Sequence, residues 1–147
     1  MDKIDRILLK TLSKDARATL KDLAKACKLS TVAVHQRLKK LEESETIKGY
    51  EIELDYSKLG YTTMVFVGVF LERSSLYREV LKKLKKIPEV LECHFTTGNY
   101  SLLIKIICKD NVDLMHVLND KIQGIEGVSR TETFIVLENG IKRGLSF

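Results

Sequence analysis

Val32, Gln36, Lys39 and Lys40 lie within one basic stretch, at a spacing that gathers them on a single side if the stretch is helical. Stepping about 100° per residue places Val34, Leu38 and Leu41 on the opposite side and Thr31, Ala33 and His35 on the flanks. An exposed valine beside an amide and two ammonium groups matches what duplex DNA offers. Val32 can meet a thymine methyl, Gln36 can bond adenine N6 and N7, and the lysines can sit on phosphates. With Ser30 at the start of the helix and Arg37 within it, the candidate contact set is Ser30, Thr31, Val32, Ala33, His35, Gln36, Arg37, Lys39 and Lys40. A basic helix that meets only solvent has the same composition and remains the alternative.

A second set could bind a small zwitterion. Gly98 allows close backbone approach, and Asn99, Tyr100, Ser101, Thr131, Glu132 and Thr133 supply donors and acceptors near strand ends, suited to an α-carboxylate, an α-ammonium and an amide. Gln123, on a neighbouring helix, is within plausible reach; His116 on the same helix reads as merely solvated. A plain hairpin turn with a packing tyrosine explains the same residues. No Ser-His-Asp set, P-loop or H-E-x-x-H motif occurs, so no catalytic residue, cofactor or enzyme activity is expected.

The elements that must position the first set read clearly. Thr19 is a natural N-cap for a helix with apolar residues at Leu20, Leu23, Ala24 and Cys27. After the break at Lys28 and Leu29, Ser30 caps the next helix, which packs by Val34, Leu38 and Leu41. This is a helix-turn-helix. Asp2 caps an earlier helix whose Ile4, Ile7, Leu8 and Leu12 would close a three-helix core. Residues 46–54, with Gly49 inside, alternate weakly and read as a wing or short strand leading to a linker at 55–60. The absence of a Pro- or Ser-rich stretch there predicts ordered backbone between the two domains.

From residue 61 the period changes. Residues 63–71 form a continuous β-rich apolar run, and Leu76, Val80, Leu81, Leu84 and Ile87 mark a helix stopped by Pro88. Residues 90–97 and 101–108 read as strands joined at Gly98 and Asn99. Leu114, Met115, Leu118 and Ile122 mark a second helix, and 130–137 a last strand. The order β-α-β-β-α-β is the ferredoxin-like arrangement. Its helices cover one face of the sheet, leaving a face expected to be rich in Val, Ile and Phe, most simply covered by a second subunit.

Charge supports a division of labour. Residues 1–48 carry 12 Lys and Arg against 7 Asp and Glu, whereas 49–147 carry 13 of each. A basic domain joined to a neutral one implies that only the first meets a polyanion. A membrane surface would call for an exposed apolar stripe opposite the basic one, which is lacking. Cys27, Cys93 and Cys108 are an odd number at core-like positions without C-x-x-C spacing, and Cys93 and His94 would point to opposite faces of a strand; no metal site is expected. A charged N-terminus, and an apolar run at 64–71 too short to span a bilayer, point to a cytoplasmic protein.

Asp2, Asp5, Asp15, Arg17, Leu23, Ala24, Leu29, Ser30, Val34, Arg37, Leu41, Glu42, Ile47, Gly49, Tyr50, Leu59 and Gly60 resemble the DNA-binding half of the Lrp/AsnC, or feast/famine, transcriptional regulators. Residues 97–102, with Gly127, Val128 and 131–136, resemble their effector-binding half. Essentially the whole chain is covered, and 96–101, 121–123 and 131–133 are most similar to the asparagine-responsive branch. The resemblance implies an α+β protein, with an N-terminal winged helix-turn-helix domain at 1–60 and a C-terminal ferredoxin-like βαββαβ effector-binding and oligomerisation domain at 61–147. It also implies a sequence-specific regulator of transcription whose partners are double-stranded DNA and a small amino acid such as asparagine. The effector would be held at Thr97, Gly98, Asn99, Tyr100, Ser101, Gln123, Thr131, Glu132 and Thr133, between homodimers assembled into a ring, an octamer. Two alternatives remain: a ligand-independent architectural DNA-binding protein, and a sirohaem decarboxylase-like enzyme. Lys28 and Glu45 stand where the family usually has Gly, costing on the order of 1 kcal/mol each if the backbone stays left-handed. Ser101 replaces an Asp found in many relatives.

Overall fold

Three short helices, each opened by a side-chain cap, build the N-terminal unit of this computed structural model, which describes residues 1–145. Helix α1 (Lys3–Leu12) is capped reciprocally by Asp2 and Asp5, α2 (Leu20–Cys27) by Thr19 and Asp22, and α3 (Thr31–Glu43) by Ser30, which accepts from the Ala33 N–H. These caps satisfy amides that the first turn would otherwise leave without partners. Leu8, Leu23, Ala24, Cys27, Val34 and Leu38 form the core, with Ile4, Ile7, Leu12, Ala18, Leu29 and Ile47 packed against it. Leu20, expected on the buried stripe, is 40% exposed. It is the first residue of its helix, and the stripe closes over the core only from Leu23 onward.

The two turns that lack glycine are left-handed all the same. Lys28 has φ 55° and Glu45 φ 54°. At Lys28 the chain forms a Schellman closure: the Leu29 N–H donates to the Ala24 carbonyl and the Lys28 N–H to that of Lys25. Glu45 closes α3 similarly, with its N–H on Glu42 O and the Ile47 N–H on Leu41 O.

Residues 46–54, expected as a wing or short strand, carry no strand. A strand needs a neighbouring ladder, and no described segment of this chain supplies one there. Contacts divide the described chain into Met1–Leu54 with residues 141–145, and Asp55–Gly140. The break thus falls before the 3-10 turn Tyr56–Leu59, which Asp55 caps, rather than after Gly60.

The second unit is a four-stranded antiparallel sheet in the order β2-β3-β1-β4, from β1 (Thr63–Leu71), β2 (Val90–Phe95), β3 (Leu102–Cys108) and β4 (Val128–Ile135). Helices α4 (Tyr77–Leu84) and α5 (Asn111–His116) cross over between strands, giving the ferredoxin-like topology. Val65, Val67, Val69, Leu102, Ile104 and Ile106 face these helices and are completely buried with Val80, Leu84, Val117 and Ile122.

Two details depart from the pattern. Helix α5 runs into a π turn, Val117–Ile122, in which the Gln123 N–H reaches the Leu118 carbonyl. The wider turn shifts the helical register, so Val117 is buried and Met115, expected inside, is 52% exposed. The link between β2 and β3 is also longer than a two-residue turn, spanning 96–101, with Thr96 Oγ1 donating to the Tyr100 carbonyl.

Strand alternation decides the open face. Met64, Phe66, Gly68 and Phe70 of β1 share it with Leu103, Lys105 and Ile107 of β3, Glu92 and His94 of β2, and Arg130, Glu132 and Phe134 of β4. Of the expected Val, Ile and Phe, this face carries the phenylalanines and Ile107, with Met, Leu and charged residues in place of the valines. The valines of β1 and most of the β3 isoleucines point at the helices instead.

Candidate nucleic-acid interface and effector site

Helix α3 is oriented by what it buries. Val34 is fully buried, Leu38 9% and Leu41 7% exposed, so the opposite side is turned out, with Val32 66% exposed and Gln36, Lys39 and Lys40 in solvent. Thr31 and His35 are exposed on the flanks and Ala33 is half-buried. Ser30 spends its hydroxyl oxygen on the Ala33 amide at 3.2 Å, and this cap sets where the helix begins. Lys39 pairs loosely with Glu43 at 3.7 Å, both largely exposed. Such a pair holds its partners weakly and yields readily to a phosphate. Tyr50 donates to Glu42 at 2.9 Å and ties the chain after the turn back onto α3. Partial burial, then Glu42, push its phenol above the usual range.

Arg37 is placed differently from the rest. Its Nη1 donates to Asp2 Oδ2 at 2.7 Å and to Asp5 Oδ1 at 2.8 Å. The Asp5 backbone amide, then the guanidinium, hold the Asp2 carboxyl below the usual range, and the two carboxylates raise Arg37 in turn. Nothing in the local pattern announces this, because the partners lie on another helix.

The second candidate set is divided by the sheet. Tyr100 lies against Gly68 on the open face, its ring edge-on to Phe70 at 5.2 Å and to Phe134 at 6.1 Å. A Cβ at Gly68 would overlap that ring. Arg130 sits 3.6 Å over the Phe70 ring. Partial burial, then the neighbouring Glu132 carboxylate, push the Tyr100 phenol up. Thr131 and Thr133, by contrast, alternate to the helix side, where Gln123 Nε2 donates to Thr131 Oγ1 at 2.9 Å. Thr97, Gly98 and Asn99 lie exposed in the β2–β3 link with Ser101 half-buried, and Gly98 has φ 138°. One protomer therefore brings Tyr100 and Glu132 together, and Gln123 and Thr131 together, but not the two pairs. Gly68 was legible as a glycine inside an apolar strand, a common mark of close approach. Among the described residues no cluster of His, Cys, Asp and Glu is suited to a metal ion, and no helix is long and apolar enough to cross a membrane.

Comparison with known proteins places both units. Residues 1–42 match the AsnC-type helix-turn-helix domain and residues 64–145 the Lrp/AsnC ligand binding domain. The chain is 38% identical over 145 residues to the Regulatory protein AsnC of Haemophilus influenzae, covering 99% of this chain and 97% of that one. The structure of Escherichia coli AsnC superimposes with a TM-score of 0.93 at 38% identity, covering 99% of this chain and 98% of that one. A Neisseria meningitidis transcriptional regulator solved as an L-Met complex does so at 0.92 and 26% identity, covering 100% and 96%. The matched domains in this order, the sheet topology and the outward basic side of α3 agree, and the chain belongs to the Lrp/AsnC family of DNA-binding transcriptional regulators.

Proposed function

We propose that this regulator reads duplex DNA through Val32, Gln36, Lys39 and Lys40, and that its DNA affinity or assembly responds to a small amino acid, asparagine being the first candidate. The carrying observation is the packing of α3: burial of Val34, Leu38 and Leu41 leaves an apolar, an amide and two cationic side chains on one outward side. Ser30, Thr31, Ala33 and His35 flank it. The effector reading is supported by the relative solved with L-Met and by the resemblance of 96–101 and 131–133 to the asparagine-responsive pattern. Tyr100 and Glu132 lie on one side of the sheet, Gln123, Thr131 and Thr133 on the other, and Thr97, Gly98, Asn99 and Ser101 in the β2–β3 link, so a second subunit would complete the site. This favours a homodimer within a higher oligomer, an octamer. The protein acts in the cytoplasm and is not an enzyme.

The test has two parts. A duplex selected from a random pool by the wild type is titrated against a random-sequence duplex at several salt concentrations. Lys40→Ala weakens both and lowers the salt slope by up to about one unit; Gln36→Ala weakens only the selected duplex, by roughly 1–3 kcal/mol. Equal losses on both duplexes for Gln36→Ala refute its base contact. For the effector, asparagine at about 100 times its dissociation constant stabilises the wild type by roughly 2.7 kcal/mol, and Gly98→Asp abolishes the shift. No thermal shift with any of the twenty amino acids refutes the effector reading and leaves the architectural one.

A further inference from the structure

We propose that Arg37 is a positioning residue of the recognition helix rather than a contact to DNA: with Asp2 and Asp5 it forms a clamp that fixes α3 against the start of α1. This rests on the reading that the exposed side of α3 meets the duplex.

Every carboxylate oxygen of the clamp is bonded. Asp2 Oδ1 accepts from the Asp5 N–H at 2.9 Å and Asp5 Oδ2 from the Asp2 N–H at 2.9 Å, which is the reciprocal cap of α1. The second oxygen of each carboxylate, Asp2 Oδ2 and Asp5 Oδ1, takes Arg37 Nη1. Capping therefore orients both carboxylates before the guanidinium arrives, so little side-chain freedom is lost in forming the pair. Asp5 is only 16% exposed and Arg37 31%. One cation between two anions leaves the cluster with a net charge of −1. A guanidinium so over-neutralised adds nothing to the positive field that a phosphate would meet.

Its place on the helix explains what the clamp does. Arg37 lies on the flank between the buried Leu41 and the outward Gln36 and Lys40, so its tether opposes rotation of α3 about its own axis. Rotation would carry Gln36 off a base edge while leaving the lysines near some phosphate. The clamp should thus govern preference among sequences more than attraction to DNA in general.

The experiment compares the full-length wild type, Arg37→Gln, Asp2→Asn and the double variant on the selected and the random duplex, across salt. Asn caps a helix about as well as Asp, so Asp2→Asn removes the charge and keeps α1. Arg37→Gln is expected to lose at least about tenfold on the selected duplex, within twofold on the random one, with an unchanged salt slope. Asp2→Asn should weaken the selected duplex too, although deleting an anion beside a polyanion would otherwise tighten binding. The double variant should be no worse than Arg37→Gln alone. A salt slope about one unit smaller in Arg37→Gln on both duplexes, wild-type preference in that variant, or tighter binding by Asp2→Asn each overturns the clamp. Should Arg37→Gln fail to fold, the sign of the Asp2→Asn effect decides. A wild type that does not distinguish the two duplexes refutes the underlying reading of α3 instead.

Discussion

Lys28 and Glu45 hold left-handed backbone without being glycine, and replacing them tests how the helix-turn-helix is stabilised. With φ at 55° and 54°, each Cβ is crowded against backbone, a cost of about 1–2 kcal/mol. Glycine removes that cost but brings more unfolded-state freedom, worth roughly 0.5–1 kcal/mol against it. The midpoints leave a net gain of about 0.75 kcal/mol for Lys28→Gly and the same for Glu45→Gly. The closing hydrogen bonds come from backbone groups and survive the change: Leu29 N–H to Ala24 O at 3.0 Å, and Ile47 N–H to Leu41 O at 3.0 Å. Alanine supplies the control, since it removes the side-chain charge but keeps the crowded Cβ. Native-state hydrogen exchange on the full chain reads the N-terminal unit by itself. Amides of Leu23–Cys27 and Val34–Leu41 should be protected about two- to fivefold more in each glycine variant, because a factor of ten corresponds to about 1.4 kcal/mol. The two gains should add, as one turn follows α2 and the other follows α3. Amides of Leu102–Cys108, in the other unit, are the internal reference. Equal protection in Lys28→Ala and Lys28→Gly would refute the reasoning, since the gain would then come from charge rather than backbone.

Three further outcomes follow from the second unit. Gly68→Val drives a side chain into the Tyr100 ring and should destabilise by about 1–3 kcal/mol, with most of the loss recovered in the Gly68→Val, Tyr100→Ala double variant; additive losses in thermal melts would show that the ring does not rest there. Lys105 at 2.9 Å and then His94 at 3.2 Å hold the Glu92 carboxyl below its ordinary 4.5, so its stabilisation is present above that value and is lost as pH falls through the depressed one. Glu92→Gln should flatten that acid limb of a urea-midpoint profile, and an unchanged limb refutes the pairing. Burial pushes the Cys108 thiol up to about 11, which leaves roughly one thiolate in a thousand at pH 8; alkylation should reach it only through unfolding, and labelling as fast as that of a free thiol refutes its burial.

These perturbations span two units with different logic. In the first, caps and a small apolar core present a surface, and the chemistry is on the outside. Leu8, Leu23 and Val34 are completely buried, each contributing roughly 1.5–3 kcal/mol, so helix α3 stands on few side chains. In the second, the sheet separates candidate ligand residues onto opposite faces.

The three N-terminal helices, the four strands and the side of α3 that faces out are all legible in local pattern. Asp2, Thr19 and Ser30 cap the helices they were expected to cap, and Val34, Leu38 and Leu41 are buried, because caps and the 3.6-residue period are written within a single turn of chain. The element order β-α-β-β-α-β of the second unit follows in the same way from the alternation of helical and extended stretches. Tertiary structure alone decided the rest. Arg37 reads as one more cation of a basic helix until two carboxylates 35 and 32 residues earlier are brought to it. Thr131, Glu132 and Thr133 read as one cluster until pleating sends Glu132 to the open face and the threonines to the helices. Residues 46–54 read as a wing or short strand, but strand pairing needs a neighbour that the described chain does not bring, and Met115 leaves the core because a π turn widens the helix beneath it. The split of Glu132 from its threonine neighbours was legible in the two-residue period of a strand; the Arg37 pairing and the missing strand partner depend on which surfaces meet across long sequence distances, of which the local pattern of a chain holds no record.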